Sequence, residues 1–375
     1  MVLCDFHCHT AFSFDGADNS SADWLCRRAL EIGLTDLCIT DHCDVNGEAE
    51  GIYTHYDADK AWDAMTEAKE KYKGKLNLVR GIELGNATQY PDVADATLKA
   101  HPYEFIIGSL HNLNGVPDFA SIRMETLTDR HISLLFDRAM DETAEMLSYR
   151  VPEGSTGITT LGHLTYIHRY VTKAGKKFDF KPHYDRIEHV FRLLMQQDIA
   201  LELNVSTLWR GMGIGMPTLE LLKFYHDCGG RLVTVGSDAH APENLGRCIR
   251  QGYALLNAAG LLTHCWITNN ACAGNAGVLL SGGTVENCAF LDNLSDGGNT
   301  DGKYPADIVQ IEGGTFRNNT VANNWTKTLG AVHVAGSNVK ISNNIIWNSV
   351  DCEDASVDRN WSVYSGGPTA NVKYN

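Results

Sequence analysis

The sequence predicts an α/β barrel of seven parallel strands over residues 1–260, followed by a short parallel β-helix over residues 261–375. Three observations predict this. Short apolar runs alternate with amphipathic helical patterns in the first part. The composition changes abruptly near Gly260, and the second part repeats itself. Fully apolar strands between amphipathic helices belong to a parallel sheet covered on both faces. Seven such units suit a closed barrel better than an open sheet.

The expected strands are Val2–His7, Asp36–Thr40, Leu78–Glu83, Phe105–His111, Thr160–His163, Ala200–Asn204 and Leu232–Ser237. Helical spacing predicts helices over Ala22–Ile32, Lys60–Tyr72, Asp129–Tyr149, Tyr184–Gln196, Thr218–Cys228 and Glu243–Ala258.

Asparagine occurs nine times in the first 260 residues and seventeen times in the last 115, so the two parts differ in kind. In the second part Leu262–Asn270, Val285–Asn293, Phe316–Asn324 and Ile341–Ser349 align at offsets of 23, 31 and 25 residues. A period in this range marks a solenoid. Asn and Gly supply left-handed turns at its corners, with Gly282-Gly283 and Gly313-Gly314 before two of the runs. The pattern resembles Asn-rich right-handed β-helix repeats. Four rungs make a short stack, and Asp296–Tyr304 reads as an inserted loop.

The net charge of −15 argues against nucleic acid or an anionic membrane as partner. An acidic protein can still bind phosphate where metal cations reverse the local field. The eleven cysteines form no even framework, and several sit in apolar runs such as Leu37-Cys38-Ile39. They fit a reducing compartment better than a disulfide scaffold. No apolar run approaches a membrane span, and Met1-Val2-Leu3-Cys4-Asp5 shows no signal-peptide pattern. The expected location is the cytoplasm. The oligomeric state is left open.

The chemistry lies where the strands end. The ends read Asp5-Phe-His7-Cys-His9, Thr40-Asp41-His42, Gly81-Ile-Glu83, Gly108-Ser-Leu-His111, Gly162-His163 and Gly236-Ser-Asp238-Ala-His240. In a parallel barrel these ends open on one face, which holds the active site. His7, His9, His42, Glu83, His111, His163, Asp238 and His240 should therefore converge, and Asp15 on the first loop can join them. A single histidine at a strand end is usually a hydrogen-bonded polar residue. Recurrence after six of seven strands favours a metal cluster. Imidazole with carboxylate suits zinc, manganese or iron. Nine candidates are too many for one ion, and Glu83 can bridge, so two or three divalent metal ions are expected. Such a cluster makes hydroxide available near neutral pH and neutralises phosphoryl charge, so phosphate-ester hydrolysis follows. The other histidines (55, 101, 131, 183, 189, 226, 264 and 333) read as surface or core residues.

Over residues 1–260 these motifs, in this order, resemble the PHP family of metal-dependent phosphoesterases. Ser13-Phe-Asp15-Gly16, Gly108-Ser109-Leu-His111-Asn112 and Glu202-Leu-Asn204-Val-Ser206 are similar to its histidinol-phosphatase branch. The resemblance implies a distorted (β/α)7 TIM-like barrel with a trinuclear site. It implies one ion on His7, His9, Glu83 and Asp238, a second on Glu83, His111 and His163, and a third on Asp15, His42 and His240. The implied reaction is hydrolysis of L-histidinol phosphate, a step of histidine biosynthesis, with a small phosphorylated substrate as the partner. Arg169 and Arg210 stand just after strands five and six, placed to clamp phosphate; the plain alternative for each is a surface ion pair. Asn204 is expected either to orient substrate or to tie down its strand end. Asp238 and His240 are the catalytic candidates, and protonation of the leaving alkoxide is left open among Asp238, a histidine and water.

Members of this branch do not normally carry a β-helix, and their last strand should follow soon after Gly260. Here the chain runs straight into a repeat rung. The junction reads as a fusion, and the barrel is expected to lack its closing segment. Two other readings compete: the same metal site acting on another small phosphomonoester or a nucleotide, and a β-helix that binds carbohydrate or a surface partner with the barrel as passenger. Trp266, Trp325, Trp347 and Trp361 could form an aromatic row for the latter, but those in phase with the rungs are expected to pack the solenoid.

Overall fold

The computed structural model describes residues 3–52, 56–261, 266–268, 271–272, 278–280, 282–286, 288–295, 308–326, 331–347, 350–351, 363–365 and 371–373. The chain divides into two compact units, one of Leu3–Gly252 and one that contains Tyr253–Asn375.

The first unit is a parallel barrel. Its strands are β1 (Cys4–Asp5), β2 (Asp36–Ile39), β3 (His42–Asp44), β4 (Asn77–Gly85), β5 (Phe105–Ser109), β6 (Thr160–Leu161), β7 (Ala200–Asn204) and β8 (Val233–Gly236). They pair in the order β1-β2-β4-β5-β6-β7-β8, with β3 also on β4. β2 and β3 keep one register on β4, Ile39 opposite Arg80 and His42 opposite Glu83. They are one strand interrupted at Thr40–Asp41, so the barrel has the seven strands predicted.

Closure comes from backbone past the formal strand ends. Phe6 N–H donates to Val235 O (3.0 Å), Asp238 N–H to His7 O (2.8 Å) and His9 N–H to Ala239 O (2.9 Å). Cys8 bridges Ala239 in parallel. The expectation of a missing closing segment is overturned: residues up to His240 bring the ring together, because Phe6–His9 bond to the backbone of Val235–Ala239.

The helices follow their apolar spacing. They are α1 (Ala22–Glu31), α2 (Val45–Glu50), α3 (Ala58–Lys71), α4 (Pro91–Ala100), α5 (Asp129–Leu147), α6 (Tyr166–Lys173), α7 (Tyr184–Gln196), α8 (Ser206–Trp209), α9 (Leu219–Asp227) and α10 (Ile249–Ala258). Ser21, Asp57 and Thr128 cap α1, α3 and α5 by accepting backbone N–H bonds from the first turn. α5 buries Ile132, Phe136, Ala139, Met140, Thr143 and Met146 along one face, and α7 buries Ile187, Val190, Phe191 and Leu194. The helix expected over Glu243–Ala258 starts only at Ile249. Gly246 and Cys248 both take positive φ (72° and 61°), which no α-helix accommodates.

The second unit is a parallel solenoid. Ala289 pairs with Trp266, Thr320 with Ala289, and Ile345 with Thr320. These offsets of 23, 31 and 25 residues are those of the sequence repeat. Val363–Ser365 and Asn371–Lys373 add pairing on Val332–Ser342 that the repeat did not reveal. Val285, Phe290, Ile311, Phe316, Val321, Val332 and Val334 fill its core. Each corner uses two adjacent residues. Asp292, Asn318, Asn323 and Asn343 take the left-handed conformation, and the asparagine that follows each points inward. Asn293 Nδ2 donates to Asn324 Oδ1 (2.9 Å) and Asn319 Nδ2 to Asn344 Oδ1 (3.1 Å), so stacked amides satisfy one another. Trp325 corrects one expectation: it is 54% exposed and does not pack the solenoid. Trp361, the Leu262–Cys265 start of the first repeat and Asp296–Tyr304 lie outside the described residues, as do the side chains of Trp266 and Trp347.

One surface network tests the barrel wall. Glu104 accepts from Lys69 Nζ (2.7 Å), Arg80 N–H (3.0 Å) and Arg80 Nε (3.2 Å). Burial pushes its carboxyl up, but these donors outweigh it and hold the pKa at about 2. A depressed pKa stabilises the fold above the unfolded-state value and loses that contribution as pH falls through the folded one. We expect Glu104→Gln to lower stability by about 1 kcal/mol at neutral pH, the figure allowing for solvent screening. The gap to the parent should close between pH 4.5 and about 2 in urea-unfolding curves.

Candidate metal centre and active site

The strand ends deliver their side chains to one place. His7 and His9 flank Cys8 on an extended segment, so both imidazoles point to one side while the Cys8 thiol turns to Cys38 O (3.2 Å). Parallel register sets His42 directly beside Glu83. Glu83 is 0% exposed and lies at the hub. Its Oε1 is 2.6 Å from Ser109 Oγ, 2.9 Å from His163 Nε2 and 3.3 Å from His111 Nε2. Its Oε2 is 3.0 Å from His7 Nε2, 3.0 Å from His42 Nδ1 and 3.6 Å from His9 Nε2. Asp238 Oδ1 lies 3.4 Å from His9 Nε2 and 3.8 Å from His7 Nε2. Asp15 stands 3.1 Å from His240 Nε2 and 3.7 Å from His42 Nε2. All nine expected metal-site residues are thus brought together. Asp238 holds a positive φ of 54°, a conformation that aspartate tolerates better than most residues, and it turns the chain where Asp238 joins the cluster.

Outer hydrogen bonds decide which way each imidazole faces. A carboxylate only accepts, so the nitrogen that meets it carries the hydrogen. His7 Nδ1 donates to Glu202 Oε1 (2.7 Å), and His111 Nδ1 donates to Asp44 Oδ2 (2.9 Å). Ser13 Oγ gives its hydrogen to Asp41 Oδ1 (2.9 Å), so it accepts from His9 Nδ1 (3.1 Å). The inner nitrogens of two of these rings meet Glu83 as well, His7 Nε2 at 3.0 Å and His111 Nε2 at 3.3 Å, so each ring either carries a second hydrogen or, when neutral, turns a lone pair inward. Lone pairs facing carboxylate oxygens repel unless a cation lies between them. His9 Nε2 and His42 Nδ1 are buried and have no hydrogen-bond partner. His111 Nε2 and His163 Nε2 face each other at 3.4 Å.

The residues therefore fit divalent metal ions. Three groupings hold their donor atoms within 4.8 Å of one another: His7, His9 and Asp238; His42, Glu83 and His111; and His9, His42 and His240. Nitrogen with carboxylate oxygen suits zinc, manganese or iron.

The electrostatics mark one tightly interacting cluster: burial works against the charged rings, but Glu83 and Glu202 hold His7, and Asp44 and Glu83 hold His111, well above the ordinary histidine value. Burial raises the Glu83 carboxyl, but the charges of His7 and His42 and the bonds from His111 and His163 hold it well below the usual range. Asp238 is likewise held down against burial by His7, His9 and His240. Burial and the neighbouring His240 and His42 press His9 well below its ordinary value, which keeps it neutral and able to ligate.

Sequence reasoning gave no role to Asp44 or Glu202, which orient the rings. Each had a signal: both sit two residues along a strand from a named candidate, His42 and Asn204, and so share its face. Glu202 also accepts from His163 N–H (2.7 Å). Glycines make the room. A Cβ at Gly236 would lie 2.6 Å from Glu202 Oε1 and closer still to His7 Cβ. A Cβ at Gly85 would collide with the Asp44 carboxylate.

A cleft of about 470 Å³ opens on this cluster. Phe14, Asp118, Tyr166, Arg169, Tyr170 and Arg210 line it with Asp15, His42, Asp44, His111, His163, Asp238 and His240. Arg169 lies over the rings of Tyr166 and Tyr170 (5.7 and 5.5 Å), and Arg210 over Trp209 (4.6 Å). Burial and the positive charge of Arg169 lower the Arg210 pKa. Neither guanidinium has an ion-pair partner among the described residues. Asn204 is not brought to the cleft. It is 0% exposed, and its Oδ1 accepts from Ser206 N–H (3.0 Å) and Ser206 Oγ (2.6 Å).

Inward-turned imidazoles and buried acids at a barrel mouth, with two unpaired arginines beside them, define a metal-dependent phosphoesterase. The chain belongs to the PHP family: the family model for the PHP domain matches residues 5–206. It is 29% identical over 252 residues to the "Probable histidinol-phosphatase" of Thermotoga maritima, across 66% of this chain and 89% of that protein. It is 22% identical over 260 residues to the histidinol-phosphatase of Lactococcus lactis subsp. lactis, across 69% and 92%. Its fold resembles the crystal structure of histidinol phosphate phosphatase from Lactococcus lactis subsp. lactis in complex with zinc, L-histidinol and phosphate. The TM-score is 0.54 at 20% identity, covering 69% of this chain and 94% of that one.

The outer carboxylates give a direct test. Glu202→Gln keeps the volume but weakens the hold on His7 Nδ1. We expect metal affinity to fall about 10- to 100-fold in a chelator competition. Unchanged affinity would remove Glu202 from the site.

Proposed function

We propose that this protein hydrolyses L-histidinol phosphate to L-histidinol and phosphate. The observation that carries the proposal is one cleft in which a ring of inward-facing imidazoles meets two arginines without carboxylate partners. The curated relatives support the substrate. The catalytic part is residues 1–260, and the solenoid of 261–375 stands outside the chemistry.

His7, His9, Glu83 and Asp238 hold one metal ion. Glu83, His111 and His163 hold a second, and Asp15, His42 and His240 a third. The close approach of His42 to Glu83 supports a ligand shared between sets. Divalent cations bound here supply charge neutralisation and a hydroxide nucleophile near neutral pH.

The chain does the rest. Arg169 and Arg210 grip phosphoryl oxygens, and their aromatic supports limit how the forks can turn. Asp44, Glu202 and the Ser13–Asp41 pair keep His111, His7 and His9 facing inward. Asp238 and His240 both line the cleft, but Asp238 is held ionised and has no proton to give, so protonation of the leaving alkoxide falls to a cleft histidine or to water. Among the described residues no cysteine forms a disulfide, which supports a reducing, cytoplasmic setting.

Purified protein supplied with zinc or manganese should release phosphate from L-histidinol phosphate faster than from other small phosphomonoesters. Prolonged chelation should abolish release, and added metal should restore it. No release with either metal sinks the proposal. Arg210→Lys should cut kcat/KM about 10- to 100-fold, because one bidentate charge-assisted contact is lost. An unchanged value would place Arg210 outside the phosphate site.

A further inference from the structure

Four carboxylates line the cleft: Asp15, Asp44, Asp118 and Asp238. Three of them are engaged by imidazoles. Asp118 is not. Among the described residues no histidine, lysine or arginine makes an ion pair with it, although His111 and His42 lie within electrostatic range. Its Oδ1 accepts from Ala120 N–H (2.6 Å), which fixes the side chain and leaves Oδ2 uncommitted.

The position of Asp118 is determined by the fold. It begins the short 3-10 turn Phe119–Ser121. Phe119 is 1% exposed, and its N–H donates to His111 O (3.2 Å). The loop is thereby tied to the strand end that carries His111. Asp118 cannot drift from the cluster without breaking that bond and withdrawing Phe119 from the core.

The cleft therefore holds two kinds of unmatched charge. Arg169 and Arg210 lack an anion, and Asp118 lacks a cation. Leaving a charged group unmatched in a partly closed cleft is costly, and a ligand with complementary charges removes the cost at both places. A phosphate monoester alone would satisfy only the arginines. We propose that Asp118 receives a cationic nitrogen of the substrate, and so selects phosphate monoesters of amino alcohols. The inference rests on the phosphatase reading above, and for L-histidinol phosphate the group received is the α-ammonium. Asp118 is then a specificity residue that contacts substrate away from the reacting phosphorus.

The test crosses two proteins with two substrates. Parent and Asp118→Asn are loaded with zinc and assayed on L-histidinol phosphate and on its des-amino analogue, 3-(imidazol-4-yl)propyl phosphate. The ratio of kcat/KM for the two substrates should fall about 10- to 100-fold in the variant, the worth of one hydrogen bond between charged groups. The fall should appear in KM for the amino substrate. A ratio equal to the parent's overturns the inference, whether both activities drop together through misfolding or through loss of an acid, or neither drops. Failure of the parent to cleave L-histidinol phosphate overturns the phosphatase reading and this inference with it. Cleavage by the parent with an unchanged ratio in the variant overturns this inference alone.

Discussion

The structure of the barrel turns on one carboxylate. Glu83 is sealed from solvent and lies within 3.6 Å of a nitrogen from each of five imidazoles. An anion in such a place is stable only if positive charge meets it, and neutral imidazoles offering lone pairs do not. Either several rings are protonated or cations occupy the space between. In the absence of cations Glu83 is met by protonated rings, His7 and His111 being held well above their ordinary values, and divalent ions would displace those protons. Glu202, Asp44 and Ser13 fix a hydrogen on the far nitrogen of three rings, and that leaves the near nitrogen, once its proton is lost, as a donor of electrons. The ring orientations are thus set by the fold, and a metal that binds has only to displace protons from the inner nitrogens.

That arrangement explains features of the backbone that would otherwise cost stability. The strand ends are polar and buried, where a barrel would ordinarily place apolar side chains or open to water. Glycines at 85 and 236 let a second layer of carboxylate approach the first layer of imidazole. Asp238 sits at positive φ, and the adjoining bridge from Cys8 to Ala239 closes the barrel. Closure and ligand placement are therefore one event. The segment that shuts the ring is the segment that carries His7, His9, Asp238 and His240.

Much of this was legible in the sequence. Seven apolar runs gave the strands, and the residues ending them gave the cluster, because a parallel barrel collects all its strand ends on one face. The solenoid register was legible to the residue, since its asparagines repeat at the spacing that the pairing adopts. What was not legible depended on partners distant in sequence. Asp44 and Glu202 look like ordinary strand polars until His111 and His7 are seen against them. Asp118 lies in a loop without periodicity. Closure was not legible because it runs through backbone beyond the strand ends, Phe6–His9 against Val235–Ala239, which carries no periodic signal of its own. Trp325 was misread because phase with a rung does not fix which face of it a side chain takes.

The overall charge of −15 seems at odds with an anionic substrate, and distance resolves the conflict. Charges on the far side of the barrel are screened beyond roughly 8 Å at physiological ionic strength. Within that radius a phosphate in the cleft would meet the two arginines and the metal cluster proposed above. The net surface charge therefore need not weaken binding of a small anion, which the cleft alone would govern. A substrate that itself carries a positive nitrogen suits this arrangement doubly. It is repelled less on approach than a bare phosphate ester of the same size, and on arrival it finds the one acid in the cleft that the imidazoles have left unclaimed.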